Sequence, residues 1–275
     1  MFEAVMLFRE ALYGALVIAL ACSVLGVYVV LRRIVFVGAA LAQLSSAGIA
    51  LAMFLAGAGV ATGITGHTVT MALIVTLAGA LFFGMEGSGS RGPVPPDATI
   101  GVTYAVAAAA GIVLIAKAAH GEAHDLFLSG NILAITRADT LVLVAVSVPV
   151  LLIHLLFYKE FLFVSFDRET ARTLGYRVNH WNLLLYLTLG LVIAFAMQFA
   201  GVMLVFNFLV LPAVTGLLVG RGMAGVFAGS VVSALLAAVI GFTLSVPYDL
   251  PTGPAMICVS GVLALIAWGF RRLRG

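Results

Sequence analysis

REALYGALVIALACSVLGVYVVLRRIVFVGAALAQLSSAGIALAMFLAG, residues 9–57, is the stretch that decides the fold. Arg9–Glu10 opens it. An uncharged run follows from Ala11 to Leu31, the pair Arg32–Arg33 interrupts, and a second uncharged run extends from Ile34 to Gly57. A helix needs about 20 residues, with a range of roughly 17–25, to cross the hydrocarbon of a bilayer. Two runs of that length, hinged on two arginines, therefore read as two membrane-spanning helices joined by a tight charged turn. The first run has no basic region before it and continues for a full span, so it reads as an anchor rather than a removable signal.

Seven further uncharged runs lie beyond this stretch: Thr68–Gly84, Ala98–Ala116, Thr140–Tyr158, Val178–Ala200, Gly201–Gly220, Gly222–Val246 and Ala255–Phe270. Helices are required, because each backbone amide in lipid must find its partner within its own segment. The alternating pattern of a membrane β-barrel is absent. The sequence predicts an all-α polytopic bundle of about nine spans forming a single domain over residues 1–275. The count is nine if Val178–Gly220 turns back near Gln198–Gly201, and eight if Gly201 only kinks one tilted segment.

The composition agrees. Of 275 residues, 63% are apolar and 9% charged, against about half and about a quarter in soluble domains. The two cysteines, Cys22 and Cys258, sit in apolar runs, which excludes a disulfide framework or a Cys-rich metal site. A formal charge of +3 is too small and too spread out to point to nucleic-acid binding. No span holds Asp, Glu or Lys, which argues against an intramembrane enzyme and against a secondary transporter coupled through a buried carboxylate.

Cations set the orientation. One set of loops carries Arg32, Arg33, Arg91, Lys159, Arg168, Arg172, Arg177, Arg221, Arg271, Arg272 and Arg274; the other carries Arg9, Lys117 and Arg137. The first set belongs in the cytoplasm, with the C-terminus inside and the N-terminus outside when nine spans are counted. Two connections stand out. The cytoplasmic one, Lys159–Arg177, reads as a charge-rich loop containing a short helix, with Asp167 as N-cap and Gly175 as terminator. Phe166, Asp167, Glu169, Ala171, Arg172 and Gly175 are its marked residues, and Ala171 and Leu174 share a face. The external one, residues 117–139, holds His120, Glu122, His124 and Asp125. Imidazole with carboxylate suits zinc or manganese, although a hydrated loop would carry the same residues. Polar groups within spans are costly unless paired or used. Gln43, Ser46, Gln198 and Asn207, with Ala39 one turn before Gln43, are the candidates for a translocation path, and hydrogen bonds between helices would explain Gln43 and Asn207 equally well.

Five segments in order resemble the zinc/manganese-type ABC permease family, ABC-3. They are Leu31-Arg-Arg-Ile-Val-Phe-Val-Gly-Ala-Ala-Leu-Ala-Gln43, Leu126-Phe-Leu-Ser-Gly-Asn-Ile-Leu-Ala134, Phe166-Asp-Arg-Glu-Thr-Ala-Arg-Thr-Leu-Gly175, Gly201-Val-Met-Leu-Val-Phe-Asn-Phe-Leu-Val-Leu-Pro212 and Asp249-Leu-Pro-Thr-Gly253. The resemblance implies the permease subunit of a bacterial inner-membrane ABC importer, not itself an enzyme, that moves zinc or manganese into the cytoplasm. It implies no resident cofactor, a homodimer, a separate cytoplasmic subunit that holds ATP and Mg, and an extracytoplasmic substrate-binding protein. It makes the Asp167–Gly175 helix the docking element for the ATPase. Ala39 and Gln43 stand where the family's second helix carries the Asp and His that line its metal path. That exchange keeps open a metal chelate (a siderophore, haem or cobalamin) as the alternative substrate.

Overall fold

The structure is a computed structural model, and it describes residues 8–59, 67–86, 95–117 and 132–274. The helices in chain order are α1 (Arg9–Leu31), α2 (Val35–Gly57), α3 (Thr68–Glu86), α4 (Pro96–Lys117), a 3-10 turn (Ile132–Ala134), α5 (Arg137–Leu156), α6 (Tyr158–Phe166), α7 (Arg168–Thr173), α8 (Val178–Val219), α9 (Met223–Ser245) and α10 (Thr252–Arg274). Eight of them are long and apolar enough to cross a membrane.

The exception to one helix, one crossing is α8. Its 42 residues would extend about 63 Å as a straight helix, twice the hydrocarbon thickness of about 30 Å. Gly201 resolves this. Its φ of 74° and ψ of 166° lie in backbone space that only glycine enters freely. They split α8 into limbs 178–200 and 202–219. Asn182, in the first limb, accepts a hydrogen bond from Arg32 Nη1 at 2.7 Å. Leu217, in the second, packs with Leu31 on the cluster of Val27, Ala213 and Val226. Both distal ends of α8 thus meet the same turn after α1, so the chain reverses at Gly201. The eight helices make nine crossings. The break stands because Gly201 is buried within the protein, where non-helical backbone is tolerated at membrane depth.

The contacts define two ends. One gathers the α1–α2 turn, Asp97, Ser165–Glu169 and Tyr186 around a single groove. The other joins α1 to α5, where Thr140 Oγ1 donates to Glu10 O at 3.4 Å, and gathers Ile132, Leu133, Ala200, Leu204 and residues 249–254 around a cavity of about 400 Å³. Capping sets the start of α5: Thr136 Oγ1 accepts from the Asp139 amide, and Asp139 Oδ2 accepts from the Thr136 amide, a reciprocal pair that meets two orphan donors.

α1, α2 and α8 form the buried centre. Lipid-like hydrocarbon offers no solvophobic drive between helices, so close packing must hold them. Gly26 displays the requirement. A β-carbon there would lie 1.9 Å from the Leu209 carbonyl oxygen, which is backbone and has no rotamer by which to yield. Gly26→Val should therefore destabilise the detergent-solubilised protein by about 3 kcal/mol or more. Gly101→Ala, where nothing lies within 4 Å, should leave the thermal midpoint unchanged or slightly raised, because alanine favours helix over glycine. Equal midpoints for the two variants would mean that α1 and the second limb of α8 are not in van der Waals contact.

Candidate functional site

The chemistry-bearing residues of the Arg32 end form a helical unit rather than a loop. In α7, Asp167 Oδ1 accepts from the Thr170 amide at 2.9 Å and Oδ2 accepts from Thr170 Oγ1 at 2.6 Å. These bonds, the side-chain one foremost, hold the Asp167 carboxyl below its ordinary range. At the other end the Gly175 amide donates to Arg172 O at 3.1 Å and the Tyr176 amide to Ala171 O at 3.0 Å. With Gly175 at φ 85°, this is the paired closure that ends helices on glycine. Ala171 is the buried anchor and packs with Val164 and Val178. Phe166, Leu174 and Tyr176 are exposed, as are Glu169 and Arg172. The cap at Asp167 and the terminator at Gly175 stand where the sequence puts them; Ala171 and Leu174, expected on one face, part, with Ala171 buried and Leu174 exposed.

α6 differs from expectation, since the first half of Lys159–Arg177 is helix and not loop. Its inward residues, Phe161 and Val164, carry the i, i+3 signal of a buried face. Phe161 stacks on His154 at 4.3 Å between centroids and meets Tyr28 at 5.7 Å and Trp181 at 5.3 Å. α6 is therefore keyed into α1, α5 and α8. His154 pairs with its own and a neighbouring helix, through Val150 O at 2.9 Å and Thr188 Oγ1 at 3.5 Å, in line with a structural role.

Beneath α7 lies a polar node that sequence reasoning missed. Arg32 Nε donates to Ser165 Oγ at 2.8 Å. Arg32 Nη1 and Arg168 Nη2 both donate to Asn182 Oδ1, at 2.7 and 3.3 Å. Asn182 Nδ2 donates to Gly84 O at 2.9 Å. Burial, then the nearby Arg168 charge, pushes the Arg32 guanidinium down to about 10, which leaves it a cation at neutral pH. The available signal was an amide in the first turn of a span, on the side where the charge pattern places Arg32.

The path candidates separate. Ala39, Gln43 and Ser46 lie at i, i+4 and i+7 on α2 and keep 7%, 7% and 8% exposure, while Ala40, Leu41, Ala42 and Ser45 have none. They form one narrow polar-edged stripe. Asn207 is elsewhere: its Nδ2 donates to Ser260 Oγ of α10 at 3.0 Å. Leu209, two residues on and about 200° around the helix, is the one that meets Gly38 of α2. Gln198 is half-buried and donates to Ala194 O at 3.1 Å within its own helix. His120, Glu122, His124 and Asp125 lie outside the described residues. Among the described residues no three His, Cys, Asp or Glu side chains gather as a metal site.

Nine apolar crossings among the described residues, with a capped and exposed helix held at one end, define a multi-pass membrane permease. The chain belongs to the ABC 3 transport family, whose model matches residues 4–271. It is 31% identical over 269 residues to the manganese transport system membrane protein MntC of Halalkalibacterium halodurans, covering 97% of this chain and 88% of that one. It is 29% identical to the manganese import system permease protein ScaB of Streptococcus gordonii, covering 94% of this chain and 90% of that one. The fold matches the structure described as PsaBC from Streptococcus pneumoniae in complex with Fab, with a TM-score of 0.83, 25% identity and coverage of 100% and 98%.

The Asp167 cap yields a pH prediction. A carboxyl whose native pKa is lowered stabilises the native state fully above its ordinary value, and the effect is lost as pH falls through the lowered one. Hydrogen-exchange protection of the Thr170 amide should thus be constant from neutral pH down to the ordinary carboxylate range and fall only below it. In Asp167→Ala the protection should already be lost at neutral pH; protection that survives there would mean another group caps α7.

Proposed function

We propose that this chain is the permease subunit of an ABC importer that moves Mn²⁺ into the cytoplasm. ATP and Mg bind a separate subunit, and an extracytoplasmic binding protein delivers the ion. The observation that carries the reading is a family match that extends over nearly the whole chain together with a preformed docking helix at one end. The names of the relatives supply manganese; zinc fits the same donor chemistry.

The Arg32 end faces the cytoplasm. Its loops carry the larger set of cations, and the C-terminus lies with them. The membrane is the bacterial inner membrane. Two copies assemble, because each chain offers one α7 and an ABC importer docks two ATPase subunits. Closure of the ATPase pair pushes on Phe166, Leu174 and the α7 surface. Phe161 carries the push into α1, α5 and α8.

The stripe of Ala39, Gln43 and Ser46 edges the ion path. It offers neutral oxygens and small side chains rather than carboxylate or imidazole. Neutral donors hold a divalent cation weakly, which suits a conduit from which the ion must also leave. Selection then rests on the binding protein and on His120, Glu122, His124 and Asp125.

The test is radiomanganese uptake in proteoliposomes holding this chain and its ATPase. Uptake should require ATP, be competed by zinc and persist with only a mild loss in Gln43→Ala. Ala39→Asp with Gln43→His should place two ligands one turn apart on α2, so that metal stays with the protein and turnover slows. Uptake of a metal chelate with no uptake of free Mn²⁺ or Zn²⁺ would refute the reading. A purified complex with a single copy of this chain would refute the homodimer.

A further inference from the structure

Arg32 is an expensive residue for mere packing. Among the described residues no carboxylate pairs with it. Ser165 and Asn182 meet two of its nitrogens, and the second terminal nitrogen, Nη2, is buried without a hydrogen-bond partner. A cation set into a protein without an anion costs more than an apolar residue that fills the same space. The next residue, Arg33, adds a second cost: it sits at φ 59°, a left-handed conformation that non-glycine side chains disfavour.

Asn182 is the point where these costs converge. It is 1% exposed, and its one side chain ties three other elements to α8. Its oxygen is shared by Arg32 from the turn after α1 and by Arg168, the first residue of α7; its amide nitrogen is tied to Gly84 of α3. The shared oxygen favours its two cations unequally, at 2.7 Å for Arg32 and 3.3 Å for Arg168. A groove of about 550 Å³ lies beside the node, lined by Arg32, Arg33, Asp97, Asp167, Arg168 and Glu169 among others. It leaves room for α7 to shift against the bundle.

We propose that Asn182 is a positioning residue that transmits the movement of α7 to the membrane helices: the shift draws Arg168 off the shared oxygen, Arg32 takes that oxygen alone, and α1, α3 and α8 move together. The proposal rests on the permease reading above and deepens it by naming where the docking segment grips the bundle. Phe161 supplies an apolar contact between the same parts; the polar node supplies two alternative arrangements, which a push can switch between.

The test uses the complete complex, reconstituted with its ATPase, and reads radiomanganese moved per phosphate released. Asn182→Leu keeps the volume and removes the hydrogen bonds. It should leave ATP hydrolysis running while ions moved per ATP fall by about tenfold, the factor that corresponds to one lost hydrogen bond to a charged group. Asn182→Asp places a carboxylate between Arg32 and Arg168, and charge-assisted bonds to both should hold the resting arrangement. Hydrolysis and transport should then fall together, with ions per ATP unchanged and the thermal midpoint raised. A purely structural Asn182 predicts otherwise: Asn182→Leu would lower yield and midpoint while the surviving complex moved as many ions per ATP as the wild type, and that result overturns the proposal. If Asn182→Leu does not assemble, Asn182→Asp decides alone, and wild-type rates in it overturn the proposal. Wild type is measured first. If it moves no metal with ATP, the permease reading fails and the proposal with it; if it does, any failure belongs to Asn182.

Discussion

Hydrocarbon offers no partner to a backbone amide or a charge, and the rest of the structure follows from that constraint. Amides must be met within helices, so the chain is helical wherever it is apolar. Charges must leave the hydrocarbon, so they collect in the turns and at the ends. The departures from regular helix are correspondingly few and enclosed. Gly201 breaks α8 where protein, not lipid, surrounds it. Asn182 and Asn207 lie inside spans, and each spends its side chain on a named partner.

The two ends of the bundle are built differently. At the Arg32 end, an aromatic cluster of Tyr28, His154, Phe161 and Trp181 and a polar node centred on Asn182 join α6 and α7 to the spans. Aromatic packing resists displacement, because dense interiors transmit strain. A polar node with an unmet donor has a second arrangement within reach. As the proposed ATPase contact, this end would need both properties. At the opposite end Asp249 and Leu250 line a cavity together with Ala200.

Much of this was legible in the sequence, for a physical reason. Span length and charge exclusion are properties of composition along the chain, so the uncharged runs mark the helices, and Gly201 marks the reversal. The cap at Asp167 and the terminator at Gly175 were legible because both act within a few residues. α6 was less so: its charges at Lys159 and Glu160 hide the buried face made by Phe161 and Val164. The Asn182 node joins residues separated by 150 positions, and no local pattern reports such a meeting. The stripe of Ala39, Gln43 and Ser46 follows from helical spacing alone, whereas the separation of Asn207 from it depends on how α8 is rotated between α2 and α10, which packing sets.

Whether α7 lies at the cytoplasmic end and is held there by the ATPase, as proposed, can be measured directly. The direct measurement is labelling by a membrane-impermeant maleimide in a Cys258→Ala background, since Cys22 is buried, with a single new cysteine at exposed Leu174 or exposed Tyr248. In inside-out vesicles, Leu174→Cys should label and become protected when the ATPase is bound, while Tyr248→Cys should label only from the opposite face and ignore the ATPase. Labelling of Tyr248→Cys in inside-out vesicles, or its protection by the ATPase in place of Leu174→Cys, would put the ATPase at the other end of the bundle.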